Sequence, residues 1–169
     1  MNQNITSKNT SINSTKLPAI YNKINWDKFQ HIKMLDYGCG KFDNAKDYIV
    51  NSNGKWFGYD PYNRTELENE SVYKEWFNIV VCSNVLNVLS DTKIIYDVLH
   101  KIRLFASNNT AIFFTVYEGD KSGIGKLTKA DCYQRNEKTI EYLRYIKDVF
   151  GDSFIVKNGV ITNHPEYLK

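Results

Sequence analysis

The sequence predicts an α/β domain: a mostly parallel sheet with helices on both faces, closed by a C-terminal antiparallel hairpin. Three observations carry this expectation. Short apolar runs alternate with segments of helical periodicity, the order of βαβ units. Phe77-Asn78-Ile79-Val80-Val81-Cys82-Ser83 is apolar with little alternation, as suits a strand buried on both faces. An earlier run, Ile32 to Tyr37, leads straight into Gly38-Cys39-Gly40, where the chain must turn sharply into a helix.

The elements follow in order. Residues 1–14 are mostly Asn, Ser and Thr and predict a disordered arm. The single domain then runs over 15–169. Leu17 to Tyr21 begins the ordered chain, and Ile24 to Phe29 predicts a helical turn. Ile32 to Tyr37 is the first strand, and Asp43 to Val50 a helix with Ala45, Tyr48 and Ile49 inward. Asn51-Ser52-Asn53-Gly54 is a turn, and Trp56 to Tyr59 the second strand. Asn63 to Glu75 is polar and predicts a loop with one helical turn. Phe77 to Ser83 is the third run, and Ser90-Asp91 caps a helix reaching Phe105. Its inner stripe is Ile94, Ile95, Val98, Leu99 and Ile102. Ala111 to Val116 is the next strand. Tyr117 to Arg135, rich in Gly and Lys, predicts a mobile loop. Asn136 is a candidate cap for a helix with Ile140, Leu143, Ile146, the stem of Lys147, Val149 and Phe150 inward, ended by Gly151. Phe154 to Val156 and Val160 to Thr162 predict the hairpin.

Composition excludes several classes of protein. A length of 169 residues fits one domain with one core. The net charge of +3 is too small to indicate nucleic-acid binding by itself. Cys39, Cys82 and Cys132 are odd in number and far apart, which predicts neither a disulfide framework nor a zinc site. His31, His100 and His164 are equally scattered, so no metal site is expected. No apolar run spans a membrane, and residues 1–14 have no hydrophobic leader segment, so the expected location is cytoplasmic.

Parallel sheets bind ligands at the carboxyl ends of their strands. The residues there are Gly38 to Gly40, Asp60, Ser83 to Asn87 and Tyr117 onward. The glycine turn lacks the third glycine of a dinucleotide fingerprint, because Asp43 stands in that place. A carboxylate there repels a pyrophosphate and tolerates a cationic ligand. Asp60 follows the second strand, twenty positions after Gly40, where an acid can accept bonds from both hydroxyls of a ribose. A turn aspartate before Pro61 is the competing reading.

Met34-Leu35-Asp36-Tyr37-Gly38-Cys39-Gly40 resembles motif I of class I S-adenosylmethionine-dependent methyltransferases. Gly58-Tyr59-Asp60-Pro61 resembles the acidic motif that follows it. Phe77 to Leu86 resembles the family's fourth strand and its cofactor-flanking loop. The resemblance covers about Lys16 to Val156. Lys16-Leu17-Pro18 and Asn84-Val85-Leu86-Asn87-Val88 are further similar to small phage-type methyltransferases and to a methyltransferase-like family associated with DNA phosphorothioation. The resemblance implies a Rossmann-like sheet, S-adenosylmethionine as cofactor, and a cofactor site of Lys16, Asp36, Gly38, Cys39, Gly40, Asp60, Pro61, Ser83 and Asn84. It implies methyl transfer, or a binding module that keeps the site and has lost transfer.

Only sixteen residues separate Asp60 from Phe77, so the family's third strand and its adenine contact hardly fit. Ser83, Asn84 and Glu66 to Glu70 are the substitute candidates. The proline-rich motif of base-amine methylases is missing after Ser83, and Cys82 lies within an apolar strand, unlike a cytosine-methylase nucleophile. The Tyr117 to Arg135 loop fails the P-loop spacing, with five residues between Gly119 and Gly125. It is expected to act as a lid, with Tyr117, Tyr133 and Gln134 orienting the acceptor. Lys121, Lys126, Lys129 and Arg135 suit an anionic or nucleotide-like acceptor, and nucleic acid fits the same chemistry.

Overall fold

Four apolar runs form the parallel strands β1 (Lys33–Tyr37), β2 (Lys55–Tyr59), β3 (Ile79–Ser83) and β4 (Ala111–Thr115). They are seen in a computed structural model that describes residues 5–9 and 16–169. After the short antiparallel strands β5 (Lys126–Lys129) and β6 (Cys132–Gln134), the chain returns to the sheet as β7 (Ile155–Lys157) and β8 (Val160–Thr162). The six-stranded order is β2-β1-β3-β4-β8-β7, with β8 antiparallel to β4 and to β7. Leu35 of β1 sits beside Phe57 of β2 and Val80 of β3, so β1 lies between them in register. The carboxyl ends of β1 to β4 therefore share one edge. Strand order reverses between β1 and β3, the point where such sheets hold ligands.

Alternate strand residues feed two apolar clusters. One face takes Met34, Ile79, Val81 and Phe113 and is covered by α1 (Ala19–Lys23) and α2 (Asn44–Asn51). The other takes Leu35, Val80, Cys82 and Phe114 and is covered by α4 (Thr92–Leu104) and α5 (Thr139–Phe150). Helix ends are fixed by local chemistry. Asp91 accepts from the Lys93 N–H at 2.8 Å. Thr65 and Glu68 form a capping box on α3 (Glu66–Ser71). The Asn158-Gly159 turn of the hairpin has φ of +53° and +72°, the left-handed pair that joins two strands with matching twist.

Several expectations need correction. Residues 117–135 are not simply a loop, since they hold the β5–β6 hairpin. β5 is exposed throughout and has no inward apolar residue to announce it. Asn136 does not cap α5. It is buried with φ +57°, and its Nδ2 donates to Ile124 O at 2.8 Å. The carboxylate of Glu118 caps α5 from a distance, accepting from the Thr139 N–H at 2.7 Å. That backbone bond, helped by Lys121, holds the Glu118 carboxyl down at about 2. The inner stripe of α5 is Thr139, Tyr142, Tyr145, Ile146 and Val149, and Ile140 is exposed, as is Ile94 on α4. Within the predicted disordered arm, residues 5–9 pack with Ser7 buried, while 1–4 and 10–14 lie outside the described residues.

The reduced third-strand region is as expected. Between β2 and β3 the chain forms only α3 and a 3-10 turn, Val72–Lys74. β2 is thus an edge strand. A groove of about 730 Å³, lined by Tyr37, Tyr59, Pro61 and the α4 residues Lys101 and Leu104, opens beside it.

The turn after β1 tolerates no side chain. Gly38 has φ +77°, and a Cβ there would collide with Cγ2 of Val85, in the loop after β3. We expect Gly38→Ala to lower the unfolding free energy by about 1–2 kcal/mol, from left-handed backbone strain and displaced packing. Urea unfolding checks this, and an unchanged midpoint would mean the turn can relax.

Candidate functional site

The loops after β1 and β2 are tied to each other, and Val85 of the loop after β3 lies against Gly38. The N–H groups of Gly38 and Cys39 both donate to Tyr59 O, at 2.7 and 3.3 Å. Gly40 N–H donates to Asp60 Oδ2 at 2.9 Å. Asp60 Oδ1 accepts from the N–H groups of Tyr62 and Asn63 and from Asn63 Nδ2, at 3.0, 2.9 and 3.2 Å. Asp60 therefore does the work of a turn aspartate and anchors the glycine turn as well. Its Oδ2, with one donor, keeps room to accept another.

Arg64 restrains the chain after the glycine turn. Its Nε donates to Gly40 O at 2.9 Å, one terminal nitrogen to Phe42 O at 3.0 Å and the other to Asp43 Oδ1 at 2.7 Å. Its guanidinium lies 5.4 Å from the Trp56 ring centre. Asp43, predicted to disfavour a pyrophosphate, is partly neutralised by this contact. No signal in the sequence marked Arg64, because its partners are mostly backbone carbonyls.

Asp36 is buried on the α1 side of β1. Tyr21 O–H donates to its Oδ2 at 2.6 Å, and Trp56 Nε1 donates to Tyr21 Oη at 3.4 Å. Burial pushes the Asp36 carboxyl up to about 6, against the opposing pull of Tyr21, Trp56 and Arg64. The same burial, with Asp36 beside it, raises the Tyr21 phenol. Cys39 is half-buried, and burial pushes its thiol up, away from the thiolate.

Other predicted cofactor residues are more peripheral. Ser83 Oγ lies 3.0 Å from Thr115 Oγ1. Asn84 is exposed at the exit of β3 with φ +57°. Pro61 is exposed after Asp60, and Lys16 is exposed with its carbonyl 3.5 Å from Asn44 Nδ2. Among the adenine-contact candidates, Glu68 is spent on capping α3, so the amide of Asn84 is the better placed.

The lid residues form a fixed hairpin over the loop after β3. Gln134 is buried. Its Nε2 donates to Tyr117 O at 2.8 Å and its Oε1 accepts from Asn87 Nδ2 at 3.1 Å. It acts as a strut, which corrects its expected role in orienting an acceptor. Arg135 is also structural: its N–H donates to Asn87 O at 2.9 Å, and its guanidinium bonds Leu89 O and Glu137. Lys121 pairs with Glu118 and Lys126 with Asp120, so most of the expected free cations are neutralised. Tyr117 is exposed where β4 ends, and Tyr133 is half-buried with its hydroxyl against Gly125.

No helix among the described residues is long and apolar enough to cross a membrane. Neither a protein-family model nor a curated protein matches the chain. Among solved structures, the chain is similar to human N-acetylserotonin methyltransferase in complex with SAM. The TM-score is 0.52 and the identity 16%, over 76% of this chain and 45% of that one. The chain thus spans under half the length of that protein. The likeness shows the fold, an α/β sheet flanked by helices.

Proposed function

We propose that the chain binds S-adenosylmethionine at the carboxyl ends of β1 and β2 and transfers its methyl group to an acceptor held near β4. The observation that carries this reading is the bond from Gly40 N–H to Asp60 Oδ2, which joins a glycine turn to an acid at the strand-order reversal. The residues present fit such a ligand. Asp36 and Asp60 offer carboxylates to an ammonium and a ribose. Asn84 is available to an adenine edge. The bound cofactor supplies an already activated methyl group, so the chain's part is to place the acceptor in line. Tyr117 and Tyr133 are the candidates for that placement, and Gln134 holds the backbone that carries them. An anionic or nucleotide-like acceptor would find Lys129 exposed on the hairpin. A second reading, a binding module without transfer, draws on the engagement of Gln134 and Arg135 in structure.

Calorimetric titration is expected to show binding of S-adenosylmethionine or S-adenosylhomocysteine. Binding of NADH with neither of these would overturn the reading. Release of S-adenosylhomocysteine on adding a cell extract separates transfer from binding alone.

A further inference from the structure

Ser7 is buried, although the chain around it is polar. Its N–H donates to Asp131 O at 2.8 Å, and its Oγ donates to Val88 O at 2.8 Å and accepts from the Tyr133 N–H at 3.1 Å. Thr6 Oγ1 donates to Asp131 Oδ2 at 2.9 Å. One residue further on, Lys8 O faces Asn63 Nδ2 at 3.5 Å. Val88 belongs to the loop after β3, and Asn63 to the loop after β2. In the sheet, β1 lies between those two strands. A segment bonded to both loops must cross the carboxyl end of β1, where Gly38 to Gly40 turn.

Asn63 links this segment to the site. Its Nδ2 donates to Asp60 Oδ1 at 3.2 Å as well as facing Lys8 O. One amide thus serves both the ribose acid and the crossing segment. A ribose hydroxyl donating to Asp60 Oδ2, which has one donor, would leave both N–H bonds of Asn63 in place, so that ligand, Asp60 and the crossing segment are held through one side chain.

We propose that residues 5–9 are a strap that lifts to admit S-adenosylmethionine and closes over it, with Asn63 coupling closure to occupation of Asp60. The proposal rests on the cofactor reading above. It makes the N-terminal segment one wall of the ligand site. Through Tyr133, the strap also joins that wall to the hairpin beside the acceptor.

Ser7→Pro tests it. Ser7 has φ +52°, which a proline ring cannot adopt, and proline lacks the N–H given to Asp131 O. Ser7 belongs to neither apolar cluster, so the sheet should persist, as a thermal melt would verify. Stopped-flow release of S-adenosylhomocysteine is expected to be about tenfold faster from Ser7→Pro than from the native chain. In the native chain, the same ligand should slow hydrogen exchange at the Ser7 amide. Should the proline variant misfold, Thr6→Ala with Ser7→Ala removes the side-chain bonds and serves the same readout. Release rates within twofold of native overturn the strap while leaving the cofactor reading intact. A native chain that binds no S-adenosylhomocysteine overturns both.

Discussion

Asp36→Asn is expected to stabilise the ligand-free protein above pH 6 while removing most of its affinity for S-adenosylmethionine. In the folded chain burial lifts this carboxyl from 3.8 to about 6. The native state therefore holds a proton that the unfolded chain has already lost. Stability is greatest below pH 4, falls as the pH rises through 6, and then levels off. Two pH units correspond to about 3 kcal/mol, an upper figure because the folded site can relax around the charge. An amide is never ionised, so the variant lacks this loss. It should exceed the native chain by roughly 2 kcal/mol at pH 8 and match it near pH 4. Urea unfolding at both pH values checks this, and parallel pH profiles for the two proteins would place the titration elsewhere. A buried carboxylate that costs stability at neutral pH has a reason to persist if it meets a cation there. Calorimetry should show the Asn variant at least about tenfold weaker for S-adenosylmethionine, the loss of one charge-assisted bond.

The strands of the main sheet were legible because its parallel members are short apolar runs, and buried parallel strands need no alternation to be recognised, whereas their spatial order was not. Gly38 and Gly40 were legible for the same reason that they are required: both have positive φ. Asp60 was legible by spacing, yet its four hydrogen-bond donors were not, since three are backbone N–H groups that any residue supplies. Tyr21 and Arg64 escaped notice. Tyr21 reaches Asp36 from the helix that covers its face of the sheet, and Arg64 reaches backward to carbonyls near Gly40. Neither relation leaves a local pattern. The β5–β6 hairpin was missed because it is held mainly by backbone and polar contacts on an exposed surface. The helical face of α5 was legible in Leu143, Ile146, Val149 and Phe150 but not in Thr139, Tyr142 and Tyr145, which polarity alone assigns outward, and Ile140 was assigned inward although it is exposed.

Asp60→Asn should weaken S-adenosylhomocysteine binding by about 1.5–3 kcal/mol, the range for a hydrogen bond to a charged group. The substitution keeps shape and size and changes only charge and one acceptor. Either orientation of the new amide turns an N–H toward a donor, since Gly40 N–H faces Oδ2 while Tyr62 and Asn63 face Oδ1. Some loss of fold stability is therefore expected too, and affinity alone cannot assign the ribose contact. A ligand change can. S-adenosylhomocysteine lacking the ribose 2′-hydroxyl should bind the native chain more weakly than the parent compound. The same deletion should make little difference to Asp60→Asn, because the partner is already altered. Calorimetry on the four combinations gives the coupling. A coupling above roughly 1 kcal/mol assigns the hydroxyl to Asp60. A coupling near zero would leave Asp60 as the anchor of the glycine turn and move the ribose to another residue, with Asn63 the nearest polar side chain to examine.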